Sequence, residues 1–142
     1  MKRKRPVLVK LLIACILFQG ISGLLGGLGL ILDPTGESLN IPMSWLEGSP
    51  FINYLIPGLI LFSLLGMLPI YIATGLLGKK FFFWRLSLVL GILLLIWILV
   101  EIIIIGYQPS PPLQLVYGIL GVLIVALSLQ PKVKNHFRKK LY

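Results

Sequence analysis

Residues Leu86–Gly106 read LSLVLGILLLIWILVEIIIIG. The run holds no Lys or Arg and a single carboxylate, Glu101. A helix rises about 1.5 Å per residue, and about 20 apolar residues cross the roughly 30 Å hydrocarbon core of a bilayer. This stretch is long enough to do so, and it decides the class of fold.

The same pattern extends outward in both directions. The chain has 142 residues, 58% of them hydrophobic and 12% charged, against about 25% charged in soluble domains. A soluble fold of this size has too little interior for so much apolar surface. Four apolar segments are expected, at about 7–32, 50–77, 82–106 and 112–130. A loop at 33–49 follows the first and a basic tail at 131–142 follows the last. The expectation is an all-α membrane protein, a four-transmembrane-helix bundle forming a single membrane domain over residues 1–142.

Charge sets the orientation. The formal net charge is +9, from 13 Lys/Arg against 4 Asp/Glu. The cations fall before the first segment, between the second and third, and in the tail, with Lys10 able to snorkel to the same side. The loop at 33–49 holds Asp33, Glu37 and Glu47 and no cation. Lys and Arg are enriched in cytoplasmic loops, so both termini are expected in the cytoplasm. Cations beside apolar spans argue for lipid rather than nucleic acid as the partner. The first segment follows a basic start, as a signal peptide does, but its apolar part is far longer than the 7–15 residues of a signal sequence, so a retained span is expected.

Within the first segment Gly20, Gly23 and Gly27 lie at helical spacing, the last two as G-x-x-x-G. Small residues let membrane helices approach closely, so these mark a contact surface, internal or between subunits. Ser49-Pro50 reads as an N-cap with proline at the first helical position of the second segment. Pro57 and Pro69 inside it each remove a backbone donor and bend the helix, freeing carbonyls that need another partner within a membrane. Such a helix lines a cavity or simply bends. Phe81, Phe82, Phe83 and Trp84, with Arg85, read as an aromatic anchor at the interface.

Glu101 stands about five residues before the end of its segment, on a side of the membrane with no Lys or Arg to pair with it. It must be protonated, hydrogen-bonded, hydrated or bound to a cation. Trp97 precedes it by one turn; Tyr54 and Asn53 of the second segment, and Gln114 or Tyr117 of the fourth, are the other candidate partners. The candidate polar site is therefore Glu101, Trp97, Tyr54 and Asn53. It is either a clamp between helices or a proton or cation site open to the acidic loop.

In the tail, Val133, Phe137 and Leu141 recur every four residues among cations. Such a helix lies on a membrane surface with Lys132, Lys134, Arg138, Lys139 and Lys140 on anionic headgroups, or is merely solvated. His136 is the only histidine and Cys15 the only cysteine, so neither a metal site nor an internal disulfide is expected. No cofactor-binding or catalytic signature is present.

At Asp33–Leu39, Trp45–Phe51 and Trp97–Glu101 the chain resembles a family of small, uncharacterised four-helix integral membrane proteins of bacteria. The resemblance implies a multi-pass protein of the bacterial inner membrane and brings no activity with it. In size and in its one membrane carboxylate the chain is also similar to small multidrug exporters, although their glutamate lies in the first helix and Glu101 in the third segment. The expected function is a structural or accessory membrane component, associating with itself or a membrane partner. The alternative is a small oligomeric transporter coupled to protons or cations through Glu101.

Overall fold

A computed structural model describes residues 4–109 and 112–138. The basic-tail residues Lys139 and Lys140, with Leu141, lie outside the described residues, as do Lys2 and Arg3.

Helix α1 spans Val7–Leu32. Its buried residues, among them Val9, Leu12, Ile16, Gln19, Gly23, Gly27 and Leu30, recur every three or four positions along one face. Pro6 enters it, and the Pro6 carbonyl accepts from Val9 and Lys10 N–H. It stops at Asp33, which Pro34 holds out of helical backbone at φ −134° and ψ 84°.

The second rod is α2 (Leu55–Phe62), a single π-turn (Ser63–Met67) and α3 (Leu68–Leu77). It begins later than Ser49-Pro50 predicts. Ser49 makes a local turn instead, its hydroxyl donating to the Leu46 carbonyl at 2.7 Å and accepting from Phe51 N–H at 3.2 Å. Pro57 falls in the first turn of α2, where no intrahelical donor is needed, so it does not bend the rod. Pro69 does perturb it. Proline has no N–H to give the carbonyl four residues earlier and its ring crowds that carbonyl. The helix answers with a widened turn, closed by Leu68 N–H on the Ser63 carbonyl.

Helix α4 covers Phe81–Ile105 and buries Trp84, Ser87, Gly91, Leu94 and Ile98 along one stripe. It ends at Gly106, whose φ of 74° suits glycine alone. Helix α5 (Leu113–Leu129) returns, and α6 (Pro131–Phe137) leaves it at 65°. Three helical segments, Val7–Leu32, Leu55–Leu77 and Phe81–Ile105, are long and apolar enough to cross a membrane, and a fourth if α5 and α6 count as one bent span. Among the described residues there is no strand.

Helix α1 packs chiefly on the α2–α3 rod and α4 on α5, and α1–α5 and α3–α4 contacts join the two pairs. One core runs through them, from Val9 and Leu12 through Ile72, Leu76, Leu90 and Leu94 to Ile124. A smaller cluster of Leu30, Leu46 and Tyr54 closes the loop end. The helices alternate in direction. Arg5, Lys79, Lys80, Arg85, Lys132, Lys134 and Arg138 therefore gather at one end, and Asp33, Glu37 and Glu47 lie at the other.

Two expectations about the basic end change. Val133 and Phe137 are fully buried in the main core. The apolar face of α6 is thus spent on the protein, not left for a membrane surface. Of the aromatic cluster, Phe82 is exposed, whereas Phe83 and Trp84 are buried because they begin the inward stripe of α4.

Candidate functional site

Glu101 follows Leu94 by seven residues and Ile98 by three, which carries it onto the inward stripe of α4, where it is half-buried. Its polar neighbours are Trp97, one turn back, and Gln114, from the first turn of α5. No charged group adjoins it among the described residues. Gln114 is itself buried, and its carboxamide is committed to the connection between the helices. Its oxygen accepts from Gln108 N–H at 2.8 Å and its nitrogen donates to the Gly106 carbonyl at 3.1 Å. Gln108 in turn donates to the Ile105 carbonyl at 2.8 Å, so the end of α4 is tied to the start of α5.

Tyr54 and Asn53 do not join this group. The later start of α2 leaves both in the loop. The Tyr54 hydroxyl donates to the Pro42 carbonyl at 2.7 Å and its N–H to the Pro34 carbonyl at 2.9 Å. Burial pushes the Tyr54 phenol above its ordinary pKa. Asn53 accepts from Leu55 N–H at 3.0 Å and starts α2. Tyr54 fastens the loop over the end of α1. Tyr117 is engaged elsewhere, stacked on Phe18 at 6.0 Å. Asp33 organises the first turn of the same loop: the Thr35 hydroxyl and Ser38 N–H donate to its carboxylate, which holds it below the usual carboxylate range.

Gly20, Gly23 and Gly27 face the second rod of the same chain. A Cβ at Gly23 would land on the Leu65 carbonyl, one at Gly27 on the Phe62 backbone, and one at Gly20 on the Ile70 side chain. At this crossing lies a residue that the sequence reading passed over. Gln19 is buried, and its Nε2 donates to the Leu65 carbonyl at 3.0 Å. That carbonyl is the one deprived by Pro69. The available signal was a lone amide in the middle of an apolar helix, facing a proline-bearing partner.

A second polar set links α4 to α5 near the basic end. The Trp84 indole donates to the Ser128 carbonyl at 2.7 Å, and the Ser87 and Ser128 hydroxyls lie 2.9 Å apart. Beside Glu101, but not lined by it, an open groove of about 460 Å³ runs between α4 and α5. Its walls are apolar, built from Leu95, Ile98, Ile102, Leu115, Ile119 and Val122, with Tyr107 and Gln114 at one end. Among the described residues no three His, Cys, Asp or Glu side chains converge as a metal site.

No protein-family model, curated protein or solved structure matches this chain. Any functional reading must therefore come from the arrangement itself: polar groups between helices bonded mainly to backbone carbonyls of the same chain, and one half-buried carboxylate without a charged neighbour.

Proposed function

We propose that the chain is a four-span helical bundle of a bacterial inner membrane, with both termini in the cytoplasm, serving as a non-enzymatic structural or accessory component in contact with itself or with a membrane partner. The observation that carries this reading is where the interior polar groups go. The Gln19 amide nitrogen, the Trp84 indole and the Ser87 and Ser128 hydroxyls spend hydrogen bonds joining helices of one chain. A transport path needs polar groups left free to meet a solute, and the groove nearest Glu101 is walled by hydrocarbon. The glycine face of α1 is filled by the chain's own second rod, so contact with a partner falls to the other lipid-facing surfaces. Exposed Lys132 on α6 and Arg138 just past its end are placed to meet anionic headgroups.

The alternative, a proton- or cation-coupled transporter, draws on Glu101 alone, a half-buried carboxylate without a charged neighbour. Reconstitution separates the two. Proteoliposomes of the purified chain, loaded with a pH-sensitive dye, are expected to leak protons or sodium-driven protons no faster than the Glu101→Gln variant. Flux that this substitution abolishes, with the fold intact, overturns the structural reading. Orientation is tested independently: cysteines at Glu37 and Lys132 are expected to label from opposite sides of the membrane, and labelling from one side refutes the proposed topology.

A further inference from the structure

Three basic side chains from distant parts of the sequence meet at the end of the molecule opposite the acids. Arg5 comes from the segment before α1, Lys79 from the turn between α3 and α4, and His136 from α6; Arg5 and Lys79 are the charged neighbours of His136. The helix end fixes Arg5, since its guanidinium donates to the Leu77 carbonyl at 3.1 Å. The burial of Val133 and Phe137 fixes His136 by seating α6 on the core. Lys79 occupies a left-handed position, φ 57°, while Lys80 N–H reaches back to the Gly75 carbonyl at 3.3 Å. Glycine is the easier residue in that geometry.

Two further observations concern what these groups lack. Among the described residues, Arg5 Nε and His136 Nε2 are both buried and without a hydrogen-bond partner, a condition that buried polar atoms rarely tolerate. Like charges held together also repel, and no Asp or Glu side chain relieves them: the four are Asp33, Glu37, Glu47 and Glu101, all towards the other end. An anion with several acceptor oxygens offsets that repulsion, and a phosphate group does so with charge-assisted hydrogen bonds from the guanidinium and the ammonium.

We propose that Arg5, Lys79 and His136 form a binding site for a phosphate group, carried by an anionic phospholipid headgroup or present as the free ion. The lipid source rests on the proposed membrane setting of this end; the phosphate chemistry does not.

The test uses the full chain in detergent, so that it is independent of sidedness. Binding of short-chain phosphatidylglycerol, phosphatidylcholine and inorganic phosphate is measured by native mass spectrometry and calorimetry. Saturable binding of one phosphatidylglycerol per chain is expected. It should weaken about fivefold in Arg5→Gln and in Lys79→Gly, the effect of one cation near an anionic surface, and stay unchanged in Lys10→Gln. Lys79→Gly places glycine where the backbone favours it, so its thermal unfolding should not fall, and lost binding there is not lost folding. If inorganic phosphate binds with the same dependence on Arg5 and Lys79 and the lipid does not, the site stands with the free ion as its ligand. If neither binds, or if Lys10→Gln weakens binding as much as Lys79→Gly, the basic end is a diffuse charge and the site is refuted. Failure of the membrane orientation would appear in the labelling experiment and not here.

Discussion

Gln19 Nε2 donates to the carbonyl of Leu65, 46 residues away, at 3.0 Å. That carbonyl lacks its helical donor because the residue four positions on is Pro69. A defect in one rod is thus made good by a side chain of its neighbour. Replacing Gln19 by Leu should cost about 1 kcal/mol, a net interhelical hydrogen bond in a membrane protein. The loss is held down because Gln19 Oε1 is itself buried without a partner and leaves with the donor. Pro69→Ala returns an N–H to the second rod. The double variant should therefore recover part of the loss, and unfolding in a mixed-detergent titration measures it. Strictly additive losses would show that the two residues are not coupled.

The same carbonyl sets the tolerance at Gly23. A methyl group there meets the Leu65 backbone, which cannot swing aside as a side chain can. Gly23→Ala must push the two rods apart along their contact and should cost more than about 2 kcal/mol, in the range of overpacked cores. Gly118→Ala is the control. Its new methyl finds only Ile98 Cγ2, at 3.9 Å, so stability should change by less than about 0.5 kcal/mol or rise through helix propensity. Equal behaviour of the two variants would mean that the close crossing is not what glycine serves.

The rods were legible because an apolar run of membrane length needs no knowledge of its neighbours, and α1 fell where its hydrophobic run and Pro34 put it. The start of α2 was not. Ser49-Pro50 has the chemistry of a helix cap, but the Ser49 hydroxyl also serves a local turn, and single-residue propensities do not choose between them. That displacement misplaced Asn53 and Tyr54 as neighbours of Glu101, since five residues of helix would have carried them elsewhere. Glu101 on the inward stripe was legible from helical period alone. The spacing of Val133 and Phe137 announced a helix with one apolar face, yet periodicity does not say whether lipid or protein covers that face. Gln19 was missed because its partner is a backbone atom, which sequence chemistry does not display.

Acid should loosen the basic end. Burial, with Lys79 and Arg5 close by, holds the His136 imidazole below its ordinary value of 6.5. Protonation is then harder in the folded chain than in the unfolded one. Stability is complete above about pH 6.5, declines as pH falls below it, and levels off once the folded imidazole has also titrated. Asp33, held low by Thr35 and Ser38, does not titrate in that window. Thermal unfolding of the detergent-solubilised chain between about pH 8 and pH 5 should show the decline. His136→Gln should flatten it, and an unchanged slope in that variant would assign the acid sensitivity to another group.

Glu101 and Gln114 adjoin across the α4–α5 contact, and their variants should behave differently. Gln114→Leu removes the acceptor of Gln108 N–H and a donor to the Gly106 carbonyl. Both backbone groups then lie unpaired where α4 turns into α5, at a cost of roughly 1–3 kcal/mol. Glu101→Gln keeps the shape of the side chain and removes an ionisable group that has no charged neighbour among the described residues. Its stability should hold within about 0.5 kcal/mol or improve, as for substitutions that strip no partner. The expected order is a fragile Gln114 and a tolerant Glu101, read by the same detergent titration. If Glu101→Gln proves the more damaging of the two, the carboxylate is the clamp at this end of the helices, and the ties from Gln114 to the backbone are incidental to it.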